Sequence, residues 1–142
     1  MVEPYKIEQI EGYSILAVPL NHSVPSVGYQ ITSPDGKSVF YTGDTGSGLA
    51  RCWEQVSPQL LIIEVTTTNQ FIELAKESRH LTPQLLEQEL ITFRKSKGYL
   101  PKVVTVHMNP MLEKEIADEI AAVNKSLNSS ISLGYEGMQL EL

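Results

Sequence analysis

Two short runs, "QLLIIEV" (59–65) and "KVVTVH" (102–107), restrict the fold more than any other part of the chain. Each is apolar at nearly every position and rich in β-branched residues, the pattern of a strand covered on both faces. A helical segment lies between them. Thr82 can cap it, Pro83 suits its first position, and Leu85, Leu86, Leu90 and Phe93 recur at helical spacing up to Gly98. After the second run, "NPMLEKEIADEIAAVNKSL" opens as a turn and continues as a helix, with Leu112, Ile116, Ile120, Val123 and Leu127 on one face. Apolar strands alternating with amphipathic helices predict an α/β layer structure, helices packed on a sheet.

The upstream half supplies more strands. "YSILAVPL" (13–20) is apolar and β-prone, and "SVGYQITS" (26–33) alternates Val27, Tyr29 and Ile31 on one side. The turn "PDG" joins it to "KSVFYT" (37–42), so 26–42 reads as a hairpin and the sheet is mixed. A short helix is expected at 48–56. "TTTNQFIELAKESRHL" (66–81) opens as a loop with room for one or two helical turns in "FIELAKES". Two tail strands, near 131–134 and 137–141, complete the order β-β-β-α-β-α-β-α-β-β. The 142 residues form a single domain, 1–142, without repeats or low-complexity tracts.

Composition excludes some functions. A net charge of −6 gives no clear nucleic-acid surface, since the backbone usually calls for a basic face, although the sum leaves room for a local basic patch. No apolar run approaches the ~18 residues of a membrane span, and "MVEPYKIEQI" lacks the pattern of a secretory signal. The single cysteine, Cys52, rules out an internal disulfide and reads as a packed residue of the helix "LARCWEQV". A cytoplasmic protein is expected.

The chemistry-bearing residues sit at element ends. The three histidines are His22 in "PLNHSVPS", His80 in "SRHLTP" and His107 in "TVHMNP". His22, His107 and Asp44, in "YTGDTG", each follow a predicted strand, where α/β proteins gather ligand-binding groups. Imidazole and carboxylate together suit zinc, manganese or iron, although a lone histidine is more often structural and an aspartate between glycines is more often a turn. "GDTGSGLA" has the Gly43-to-Gly48 spacing of a P-loop without its lysine and hydroxyl, and it fails the dinucleotide fingerprint. No G-x-S-x-G elbow occurs.

"VPLNHSVPSVGYQI", "VFYTGDTG", "LLIIEVT", "SRHLTP" and "VVTVHMNP" resemble, in order, the later motifs of the metallo-β-lactamase-fold hydrolases. Within them the chain looks most like the phosphodiesterase group, ribonuclease Z and the class II cyclic-nucleotide phosphodiesterases. The resemblance runs from residue 13 to near the end of the chain. It implies an αββα sandwich with two divalent metal ions at the strand ends. In it, His22 would bind the first metal, His107 the second, and Asp44 would bridge them. His80 would act on the phosphate or leaving group, with Glu64 as its orienting partner, since a carboxylate bonded to an imidazole fixes its tautomer.

The family's main metal motif, H-x-H-x-D-H, precedes the first of these histidines, and residues 1–21 do not contain it. The chain is therefore expected to be the C-terminal half of the fold, truncated from a longer enzyme or completed by another chain, including a second copy of itself. Alone it should bind metal weakly, because catalytic zinc takes about three protein ligands, and it should be inactive. The expected substrate is a small phosphodiester, with no membrane partner. A non-catalytic interaction module of the same fold and an ester or thioester hydrolase are the alternatives.

Overall fold

The computed structural model describes residues 4–20 and 26–142. Seven strands form one sheet whose spatial order follows the chain: β1 (Ile7–Ile10), β2 (Tyr13–Leu20), β3 (Ser26–Thr32), β4 (Ser38–Tyr41), β5 (Leu60–Glu64), β6 (Lys102–Val106) and β7 (Ile131–Leu133). Strands β1 to β4 pair antiparallel, and β4 to β7 pair parallel. The helices fall in the parallel half: α1 (Ala50–Gln55), α2 (Ile72–Ser78), α3 (Pro83–Lys97) and α4 (Glu113–Leu127).

The caps expected for α3 are present: Thr82 Oγ1 accepts from the Leu85 amide, Pro83 opens the helix, and Gly98 closes it in the left-handed region. Such caps set boundaries because they satisfy backbone groups the helix cannot pair itself. Two expectations need correction. Residues 137–141 form no strand: Gly137 turns the chain at φ 82°, and 134–140 lie along the face of the sheet instead of adding to the free edge of β7. A strand not expected, β1, pairs at the open edge, where "IEQI" is mostly exposed.

One face of the sheet is the core face. Register places Phe40, Leu61, Val103 and Ile131 in one row across the strands, against Trp53, Leu86, Leu90, Phe93, Ile116 and Ile120 of the helices. Trp53 packs edge-on against both Phe40 and Phe93, with ring centroids 6.3 and 5.3 Å apart. The opposite face carries the row Ala17, Tyr29, Tyr41, Ile62 and Val104. Residues 134–140 lie along part of it and, with Ile62, Val104 and Val106, bound a cavity of ≈ 360 Å³. Farther along this face Tyr13, Ile31 and Tyr41 are 40–45% exposed. No helix among the described residues is long and apolar enough to cross a membrane.

Cys52 is buried as expected, and burial, with the Glu89 carboxylate adding to it, pushes its thiol up to about 12. That leaves roughly a thousandth of the thiolate carried by an ordinary cysteine. Thiol titration with a disulfide reagent at pH 8 should show Cys52 inert in the folded chain and reactive once denaturant is added. In the same core, Phe93→Ala should cost about 3–5 kcal/mol in urea unfolding, since it leaves a cavity beside Trp53 and Tyr99.

Candidate metal and general-acid site

The site lies beyond the C-terminal ends of β4, β5 and β6, and each chemistry-bearing residue arrives by a different local device. Asp44 stands in the irregular segment 42–49 after β4. Two of its neighbouring glycines have separable reasons to be there. Gly43 takes φ 66°, a left-handed turn that side chains resist. Gly46 packs against the chain at Arg79: a Cβ added there would stand 2.9 Å from Arg79 Cα and 3.1 Å from its carbonyl carbon. The glycines thus let the Asp44 loop touch the backbone that carries His80.

His80 follows α2. Arg79 closes that helix in the left-handed conformation, φ 58° and ψ 57°, and the His80 amide donates to the Ala75 carbonyl at 2.9 Å. The next residue is tied to the sheet, the Thr66 amide donating to the Leu81 carbonyl at 3.0 Å. His107 follows β6 directly with φ 63°, a sparsely populated conformation that histidine tolerates better than most residues. Two residues on, the Asn109 amide donates to the Thr66 carbonyl, so the loops after β5 and β6 are joined.

Glu64, the last residue of β5, is the buried hub. Its Oε1 accepts from the Thr45 amide at 3.1 Å and from His80 Nδ1 at 2.6 Å. Its Oε2 accepts from the Thr66 hydroxyl at 2.7 Å and from the Leu81 amide at 3.1 Å. A buried carboxylate is tolerable only when its oxygens are saturated in this way. Because the carboxylate accepts, Nδ1 of His80 carries the proton, and Thr66 Oγ1 lies 3.2 Å from the same nitrogen.

The rings of His80 and His107 stack with centroids 6.0 Å apart and 16° between planes. His107 Nε2 lies 3.6 Å from Asp44 Oδ1, and both side chains are about half exposed. That spacing suits two ligands of one cation. Tetrahedral metal bonds of about 2.0–2.2 Å place neighbouring donor atoms roughly 3.4 Å apart. The pair therefore fits as part of a metal site but does not complete one: among the described residues no group of three or more potential ligands is found. His22, expected on the first metal, lies outside the described residues.

Of the five residues singled out from sequence, four are thus brought together: Asp44 with His107, His80 with Glu64, and the two histidines with each other. Sequence reasoning missed Thr66 and Glu89. Thr66 lies two positions after Glu64, on the same side of an extended segment. Glu89 is a carboxylate inside the apolar stripe of α3, and that misplacement was the available signal.

Comparison of the sequence with protein-family models and with curated proteins returns no match. The structure does match solved ones. A metallo-β-lactamase-fold protein, YhfI from Bacillus subtilis, superposes with a TM-score of 0.77 at 15% identity over 98% of this chain and 54% of that one. The short form of human tRNase Z gives 0.64 at 24% identity over 94% of this chain and 45% of the other. A metallo hydrolase from the archaeon Ignicoccus hospitalis gives 0.68 at 15% identity, over 98% and 58%. The fold is that of the metallo-β-lactamases. The chain spans about half the length of these structures.

Replacing Glu64 with glutamine would turn an amide NH2 toward two donors. Glu64→Gln should lower stability by about 1–3 kcal/mol in urea unfolding, and the His80 ring resonances should shift with it in NMR spectra.

Proposed function

We propose that this chain is the C-terminal half of a metal-dependent hydrolase acting on phosphodiesters. The observation that carries the reading is the convergence of Asp44, His107 and the Glu64–His80 pair, from three loops, on one edge of the sheet. Asp44 and His107 would hold a divalent ion, with zinc, manganese and iron all compatible with the donor set. The complete protein would hold two ions, with His22, Asp44 and His107 among the residues that would hold them. The chemistry such ions supply is Lewis acidity toward a phosphoryl oxygen and a more acidic water. His80, its Nδ1 proton held by Glu64, is fixed in orientation to meet the phosphate or the leaving oxygen and give it a proton. Among the solved neighbours, human tRNase Z supports this choice of substrate bond. The net charge of −6 favours a small phosphodiester over a long polyanion.

The remaining ligands would come from a second sheet layer. It would pack on the apolar row of Ala17, Tyr29, Tyr41, Ile62 and Val104, supplied by a preceding segment or by another chain. The same face favours the second reading, a non-catalytic interaction module that uses it for binding.

Zinc titration by chelator competition separates these. Asp44→Ala and His107→Ala should each weaken zinc binding at least about tenfold, and His80→Ala should leave it within about twofold. In the complete, metal-loaded protein His80→Ala should instead cut hydrolysis of bis(p-nitrophenyl) phosphate by about 10²–10⁴, with little turnover of p-nitrophenyl acetate in any variant. Zinc binding that ignores Asp44 and His107 would overturn the metal reading, and preferred turnover of the acetate would overturn the phosphodiester reading.

A further inference from the structure

We infer that Glu89 is a positioning residue, a buried carboxylate of α3 that sets the conformation of the loop presenting Asp44. Its bearing on metal binding rests on the proposed role of Asp44. Segment 42–49 has no regular structure of its own. It is pinned at its start by the Thr42 amide donating to the Ile62 carbonyl at 3.0 Å, and in its middle by the Thr45 amide on Glu64. At its far end the pin is Glu89, which accepts from the Gly48 amide through Oε2 at 3.0 Å and from the Leu49 amide through Oε1 at 3.1 Å. Trp53 Nε1 completes the set, donating to Oε1 at 3.2 Å.

The residue is out of place for a purely structural role. Glu89 is only 7% exposed and sits among Leu85, Leu86, Leu90 and Phe93, where a leucine would pack at no desolvation cost. Two of its three donors are main-chain amides of the Asp44 loop. The short helix α1 has no side-chain cap from its own segment. Glu89 supplies that cap from another helix, and in doing so it fixes where the loop leaves the core and how far Asp44 stands from His107. The loop is thus held by two buried carboxylates, Glu64 and Glu89.

The test compares Glu89→Gln, which keeps the volume and loses one oxygen, with Leu90→Val, a core change on the same helix that removes no hydrogen bond to either carboxylate. Hydrogen–deuterium exchange is followed at 43–49 and in β5 and β6, alongside zinc affinity. Glu89→Gln should speed exchange at 43–49 at least about tenfold beyond Leu90→Val, leave β5 and β6 at the control's rates, and weaken zinc about tenfold. Glu89→Asp, which retains the charge, should fall between it and the parent chain, and it serves in its place if the glutamine variant does not fold. Exchange at 43–49 that only follows the control would overturn the inference, as would loosened exchange with unchanged zinc affinity. A parent chain that binds no zinc, yet shows the selective loosening, removes the metal reading of Asp44 and supports the hold of Glu89 on the loop.

Discussion

The Glu64 carboxylate, out of reach of water at the end of the central strand β5, is the group on which the rest of the site depends. Its two oxygens take four hydrogen bonds from the Asp44 loop, the loop just after β5 and the α2–α3 connection. Each donor alone could find water if released. The carboxylate could not, and that asymmetry is why the three segments stay together. Its partner His80 is held in one tautomer as a by-product of satisfying Glu64, so structural necessity and chemical readiness come from the same contact.

Topology explains why those segments meet. A sheet whose strands follow the chain order, with β4, β5 and β6 parallel, brings three consecutive strand ends to the same edge. The loops that carry Asp44, His80 and His107 are then neighbours. The price is a lopsided sheet. Its helices lie against one face, and the other keeps an apolar row that the tail 134–140 covers only in part. In a structure spanning about half of its solved neighbours, that open face is the natural seat of the second layer under the proposed reading.

Much of this was legible in the sequence where the determining interaction is local. The caps Thr82 and Gly98 bound α3 because they satisfy the helix's own ends, and the runs at 59–65 and 102–107 read as buried strands because no alternation is needed when both faces are covered. Strand β1 was hidden because an edge strand with mostly exposed residues carries little apolar signal. The tail "MQLEL" misled for the opposite reason, showing strand-like alternation in a segment that lies on the sheet's face and pairs with no edge. In the site, His80, His107, Asp44 and Glu64 were visible through their motif context at strand and helix ends. The contact of Gly46 with Arg79 and the grip of Glu89 on Gly48 and Leu49 join residues 33 and about 40 positions apart, and no local pattern announces them.

The most direct measurement is an anomalous difference map from crystals of the chain soaked in manganese or zinc. The account predicts a peak between Asp44 Oδ1 and His107 Nε2, about 2.0–2.3 Å from each. A map with no density there, or with the ion bound elsewhere on the surface, would contradict the reading of this strand-end cluster as a metal site.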